Sequence, residues 1–283
     1  MNITNVEPNI REVRRIQQYL LLKDELHLEV ITKPRETDSE FRVPHLLRQF
    51  SNDILYDYQR ILENILSLSQ KDGIQIIGLT AAHSREGTST ISAVLSALAA
   101  VRQNGHSYRH AQGAEKSAPP HHKINSNRRD ILLIDTQLKK PSLHTFFGVE
   151  PQPGLNEFLD SQVRLNDSLR YIFDSQLKLI PAGRRTHEPF YNLHLDNFQT
   201  FLEKIRHHLH LVFMDIPPLL EYAEGITLSK LCDGIILVIE SSHTRVEDIQ
   251  EAADLLQKAN VPLLGSVMNK RKSYIPHWLN KYV

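Results

Sequence analysis

The sequence predicts an α/β fold, a mostly parallel sheet with helices on both faces. Two observations carry this. Short runs rich in Ile, Leu and Val fall at residues 74–79, 131–134, 177–180, 211–214, 234–239 and 263–268, and each is close to continuously apolar, as strands covered on both faces must be. Amphipathic stretches of helical period separate them, at 89–102, 197–208 and 245–259. That alternation is the signature of helical crossovers between parallel strands.

Taken in order, residues 1–45 form a polar N-terminal segment and linker. One apolar cluster, Tyr19-Leu20-Leu21-Leu22, interrupts it, and Lys33-Pro34-Arg35-Glu36-Thr37-Asp38-Ser39 offers no periodic apolar face. Leu47, Phe50, Ile54, Tyr58, Ile61, Ile65 and Leu68 then follow helical spacing and predict one or two helices. From 46 to 283 the chain reads as one domain. Within it, residues 104–129 are rich in His, Ser, Asn, Ala and Pro and hold nothing that could form a core. We expect a mobile loop inserted between a helix and the second main strand.

Composition narrows the function classes. Of 283 residues, 41% are hydrophobic and 23% charged, which is ordinary globular usage and argues against wholesale disorder. Lys plus Arg total 33 and Asp plus Glu total 33, a balance that argues against coating nucleic acid or an anionic membrane. The single cysteine, Cys232, excludes an intrachain disulfide and fits a reducing compartment. No apolar run approaches the ~18 residues of a membrane span. Met1-Asn2-Ile3-Thr4-Asn5 does not open a secretory signal. The expected location is cytoplasmic.

The chemistry concentrates after the first strand, at Thr80-Ala81-Ala82-His83-Ser84-Arg85-Glu86-Gly87-Thr88-Ser89-Thr90, which leads into a helix. Strand, short loop and helix is the setting of a phosphate-binding loop, whose backbone amides and helix N-terminus attract anions. Against the pattern G-x-x-x-x-G-K-[ST], Gly87 and Ser89 match. Ala82 replaces the first glycine and Thr88 the lysine. A threonine cannot place a cation between the β- and γ-phosphates.

Further motifs follow in order. These are Ile134-Asp135-Thr136-Gln137-Leu138-Lys139-Lys140-Pro141-Ser142-Leu143-His144, then Gly154-Leu155 with Phe158-Leu159, and Ile180-Pro181-Ala182-Gly183. Met214-Asp215-Ile216-Pro217-Pro218, Cys232-Asp233-Gly234 and Leu264-Gly265-Ser266-Val267-Met268-Asn269 complete the set. In this order the set resembles the cytoplasmic domain of bacterial tyrosine kinases (BY-kinases) of capsule and exopolysaccharide synthesis. That family lies within the Min/Par class of P-loop ATPases. The resemblance covers roughly residues 46 to 269 and makes the domain P-loop kinase-like.

The resemblance implies ATP and Mg²⁺ as cofactors. It places Gly87, Thr88, Ser89, Thr90 and Asn269 on the nucleotide, and Ser89, Asp135 and Asp215 on Mg²⁺. Asp135 and Asp215 become the catalytic acids, and Tyr274 and Tyr282 the autophosphorylation candidates. It implies a membrane chain-length (co-polymerase) partner that would hold the chain at the inner membrane, and a homo-oligomer; the charge balance implies no nucleic acid. The departures are specific. The loop lysine is Thr88, the loop glycine is Arg85, and the second acid of the Asp135 motif is Gln137. In the family's E-x-x-R-x-x-R helix both arginines are missing, as Gln59 and Leu62. The reading from sequence is therefore a tyrosine-autokinase-like protein with an impaired nucleotide site, acting as regulator or scaffold. Its alternatives are an active kinase with a rearranged site and a Min/Par-type positioning ATPase. His83 stands where the latter group carries its signature lysine. The chain's 15 histidines, including His207-His208-Leu209-His210 and His121-His122, lack zinc-ligand spacing.

Overall fold

The computed structural model describes residues 45–103, 130–172, 177–185, 195–206 and 208–271. The expected N-terminal linker, the 104–129 insertion, Tyr274 and Tyr282 lie outside these residues. In chain order the elements are α1 (His45–Arg48), α2 (Asn52–Asp72), β1 (Ile76–Ala81), α3 (Thr88–Gln103), β2 (Ile131–Asp135), α4 (Leu143–Phe147), α5 (Leu155–Leu159) and α6 (Leu165–Ser168). There follow β3 (Arg170–Ile172), β4 (Leu177–Ile180), α7 (Leu195–Ile205), β5 (Leu211–Asp215), α8 (Ala223–Ser229), β6 (Gly234–Glu240), α9 (Val246–Lys258) and β7 (Leu263–Asn269). The strands form one seven-stranded sheet in the order β3-β4-β2-β5-β1-β6-β7. Only β3 runs antiparallel, against β4; the other neighbours are parallel.

Every apolar run read as a strand is one, but β7 is not covered on both faces: it lies at the edge of the sheet and is exposed or half-buried along its length. Four strands continue one residue past the apolar run, into Asp135, Asp215, Glu240 and Asn269. The three-residue β3 escaped the sequence reading, because Arg170-Tyr171-Ile172 is too short and too polar to stand out.

Strand side chains alternate between two cores. Leu132, Ile134, Val212, Met214, Ile235 and Leu237 pack on one face with residues of α5, α7 and α9. Ile131, Leu133, Leu211, Phe213, Ile236 and Val238 pack on the other with residues of α1, α2 and α3. This period of two, with both sets apolar, is why the strands read as continuous hydrophobic runs. Helix α3 is buried along most of its length, from Ile91 to Val101, since it lies between the sheet and α2.

The buried stripe of α2 is Leu55, Tyr58, Leu62, Ile65 and Leu66. Ile54, placed on the apolar face by sequence, is 45% exposed. The stripe is turned by about one residue because Leu55 and Leu62 pack into the core shared with α3. Helix α2 ends at Gly73 in the left-handed conformation (φ 69°), which a residue without Cβ adopts freely.

At the amino ends of the strands, Asp233 fastens three segments. Its Oδ2 accepts from the backbone amides of Gln75 and Ile76 at 2.8 Å each. Arg206, just after α7, meets it in a two-pronged pair at 2.8 and 2.7 Å. Burial pushes the Asp233 carboxyl up, but Arg206 and the two amides outweigh it and hold the group below its ordinary value. A carboxylate of lowered pKa stabilises the fold above its unfolded pKa, and that contribution disappears as pH falls through the folded value. Asp233→Ala should cost on the order of 1.5–3 kcal/mol at pH 7. The difference from wild type, measured by urea titration, should shrink as the pH is lowered toward 3.

Candidate active site

The carboxyl ends of β1, β2 and β5 meet at one edge of the sheet. This is where open parallel sheets bind ligands. Asp135 ends β2, Asp215 ends β5, and the two are directly paired across the strands, with Leu79 of β1 opposite Asp215 on the other side. Both carboxylates are fully buried.

Their environments differ. Asp135 accepts from the backbone amides of Gln137, Ser142 and Leu143 at 3.0, 3.3 and 3.2 Å. Burial raises its pKa to about 6, with these amides restraining the rise. For Asp215, burial and then the neighbouring Asp135 raise it to about 8. The Ser89 and Gln137 side chains pull weakly in the opposite direction, yet neither Asp215 oxygen has a hydrogen bond of full geometry. Thr136 ties the two strand ends together, its Oγ1 donating to the Asp215 carbonyl at 2.7 Å. Around neutral pH the pair therefore retains about one proton, the behaviour of carboxylates too close to ionise together.

The loop from β1 into α3 rises beside this pair. Gly87 has φ 100°, and a Cβ there would collide with the Asn269 carboxamide. Asn269 Nδ2 donates to the Glu86 carbonyl at 2.8 Å. Lys270 Nζ bridges the Arg85 carbonyl at 2.7 Å and Glu240 Oε2 at 2.9 Å. Glu86 is 2% exposed, and its Oε1 accepts from Thr244 Oγ1 at 2.8 Å. Burial raises the Glu86 pKa, while Thr244 and His83 lower it in part. His83 Nε2 lies 3.1 Å from Asp248 Oδ2, and Ser84 donates to Glu221 through both its amide and its hydroxyl. Arg85 holds φ 72°, a left-handed conformation that costs a residue with Cβ about 1–2 kcal/mol. This is the backbone region that glycine adopts freely.

Thr88 begins α3 and is buried; Ser89 and Thr90 are half-buried in its first turn. Gln137 Nε2 donates to Ser89 Oγ at 3.3 Å. Ser89, Asp135, Asp215, Gly87 and Asn269, singled out from sequence, are thus gathered at one edge. A hydroxyl and two carboxylates are hard oxygen donors of the kind that could hold Mg²⁺, and the partnerless oxygens of Asp215 suit that use. Lys139 is engaged elsewhere, 2.6 Å from Glu224 Oε1 on α8 and over the Tyr222 ring. A pocket beside the acid pair is lined by residues including Ser84, Gln137, Lys139, Lys140 and Tyr222. The Gly154-Leu155 and Ile180-Pro181-Ala182-Gly183 motifs meet each other. Leu155 and Asn156 amides donate to the Pro181 and Ala182 carbonyls, and Glu157 accepts from the Gly154 and Arg184 amides. Glu86, Glu221, Thr244 and Lys270 were not singled out from sequence, because each acts through a partner far away in the chain.

A parallel sheet with this loop and acid pair defines a P-loop nucleoside-triphosphatase fold of the tyrosine-kinase and MinD kind. The kinase domain of Escherichia coli tyrosine kinase ETK superposes with a TM-score of 0.64 at 18% identity, covering 88% of this chain and 90% of that one. The chimerical protein CapA2B2 gives 0.65 at 20% identity over 83% and 92%. MinD of Pyrococcus horikoshii complexed with Mg-ADP gives 0.53 at 18% identity over 73% and 76%.

In sequence, the curated homologues of this chain are bacterial tyrosine-protein kinases. The Acinetobacter johnsonii kinase ptk is 27% identical over 139 residues, 49% of this chain and 19% of that protein. YwqD of Bacillus subtilis is 28% identical over 144 residues, 51% and 61%. The putative kinase EpsB of Ralstonia solanacearum is 25% identical over 225 residues, 79% and 27%. The matched region is thus less than two thirds of each of these relatives. No protein-family profile matches the chain.

The acid pair sets a pH dependence of stability. Both folded pKa values lie above the ordinary carboxylate value, so this contribution to stability is intact in acid and declines as pH rises toward 8. Asp215→Asn removes the greater part of that penalty. In EDTA, the Tm of the variant should match wild type near pH 4 and exceed it increasingly up to pH 8, as read by calorimetric scans.

Proposed function

We propose that the chain is a tyrosine-autokinase-like P-loop protein of bacterial exopolysaccharide or capsule biosynthesis. It binds ATP weakly, transfers phosphoryl groups poorly, and serves as regulator or scaffold of a membrane chain-length protein. Ser89, Asp135 and Asp215 would hold Mg²⁺, and Gly87, Thr88, Ser89, Thr90 and Asn269 would line the nucleotide. When bound, the metal would supply charge to the β- and γ-phosphates. The α3 N-terminus and the loop amides would orient the polyphosphate. Asp135 or Asp215 would accept the proton of an attacking hydroxyl.

The observation that carries the reading is the pairing of two substitutions at this edge. Thr88 stands at the lysine position, and Gln137 turns a neutral amide toward Ser89 where the family has an acid. No helix among the described residues is long and apolar enough to cross a membrane, which accords with attachment through a partner. The kinase names of the homologues, EpsB and CapB among them, support the kinase-like reading over a positioning ATPase.

One observation favours a second reading, an active kinase with a rearranged site. Among the described residues the Arg85 guanidinium has no hydrogen bond or ion pair, and the side chain is exposed and free to approach an anion. Autophosphorylation separates the two. Loss of a preorganised charge at a phosphoryl-transfer site plausibly slows turnover by a factor of ~10² to 10³. The purified chain should therefore show little phosphotyrosine at Tyr274 or Tyr282 by mass spectrometry. Robust labelling would support the active kinase.

Thr88→Lys restores one charge-assisted contact worth on the order of 1.5–3 kcal/mol, and should tighten ATP binding about tenfold or more in titration calorimetry. Unchanged affinity in a folded variant would mean that the loop no longer admits a phosphate.

A further inference from the structure

We infer that the Gln137 carboxamide occupies the cation position of this site, so that the chain does not take up Mg²⁺ on its own. The inference deepens the nucleotide-site reading above and rests on it. The groups available to a cation here are Ser89 Oγ, Asp135 and Asp215, all oxygens. A cation needs their lone pairs, and a hydrogen-bond donor directed at the same lone pairs competes with it. Gln137 supplies that donor. Its backbone amide is fixed on Asp135 Oδ1 at 3.0 Å, and its side chain lies close to the Asp215 carboxyl. Its Nε2 then donates to Ser89 Oγ at 3.3 Å.

Nearby, the two oxygens of Asp215 are buried without a full hydrogen bond, on the strand end paired with Asp135. The amide N–H group carries a partial positive charge and costs no desolvation of an ion. It thus serves part of the cation's electrostatic role. An aspartate or glutamate at 137 could not do so, since a third carboxylate beside the pair demands a counter-ion. Turned over, the carboxamide would present Oε1, an acceptor, and Gln137 would become a metal ligand. With Nε2 toward Ser89, it is a competitor instead.

The test uses the full chain and Mg²⁺ alone, without nucleotide, so it does not depend on ATP binding, kinase activity or a partner. Thermal unfolding is followed in EDTA and across a Mg²⁺ titration to 20 mM at pH 8, for wild type, Gln137→Asp and Gln137→Ala. Wild type should show no specific Mg²⁺ response. Gln137→Asp adds an oxygen ligand and should bind at least about tenfold more tightly. Its Tm should rise by about 2–4 °C once Mg²⁺ exceeds Kd by ~5-fold. Gln137→Ala removes the donor without adding charge, and should gain a smaller response that wild type lacks. It keeps the test valid if the extra carboxylate of Gln137→Asp unfolds the protein. Adding Asp215→Asn to Gln137→Ala should abolish that gain, which separates binding at this site from general salt stabilisation. The inference is overturned if wild type responds to Mg²⁺ as strongly as Gln137→Asp, which would make Gln137 a ligand. It is equally overturned if neither variant responds.

Discussion

Two carboxylates buried side by side at the ends of adjacent parallel strands form the constraint around which this edge of the molecule is organised. Asp135 and Asp215 are in register on β2 and β5, so no relaxation of side chains alone can separate them far. In a medium of low polarity, two negative charges at neighbouring strand positions repel strongly. The protein answers in three ways. Backbone amides of the β2–α4 turn face Asp135, Thr136 joins the two strand ends, and the pair keeps a proton to about pH 8. A site of this kind is built for a positive partner. Beside the pair stands the Gln137 side chain, close enough to pull against the rise of the Asp215 carboxyl.

The loop beside the pair is held from the opposite side of the sheet. Asn269 and Lys270, at the end of β7, grip the carbonyls of Glu86 and Arg85, while Thr244 holds the Glu86 side chain. These contacts explain how an arginine persists with φ 72°. A strained backbone survives where its surroundings over-determine it, and the Lys270 contact fixes the very carbonyl that follows the strained torsion. The loop shape is thus maintained by contacts within the protein. The same arrangement makes Asn269, which the family resemblance places on the nucleotide, a support of the loop as well; its carboxamide packs directly on Gly87.

Relations between distant segments were hard to read from sequence, and the reasons are physical. Leu155 and Asn156 donate to Pro181 and Ala182, which lie a long way along the chain, and two motifs that looked separate make one unit. Ile54 and Leu55 are adjacent and similarly apolar. Only the position of α3 decides that Leu55 is buried and Ile54 half exposed. A helical period defines a stripe to within a residue, and the neighbour that the stripe faces sets the rest.

The sequence by itself determined the sheet and its edge. Continuous apolar runs mark the strands, six of them read directly, and a polar residue closes the runs at Asp135, Asp215 and Asn269. It also determined what is missing, since Thr88, Arg85 and Gln137 are legible as residue types without coordinates. The tertiary structure alone decided what those residues do. Strand order 4-2-5-1 sets Asp135 against Asp215, two residues 80 positions apart. It buries them together and aims the Gln137 amide at Ser89. Pattern is local and follows from the period of the backbone; charge pairing and burial arise only when segments remote in the chain are packed into one low-dielectric edge.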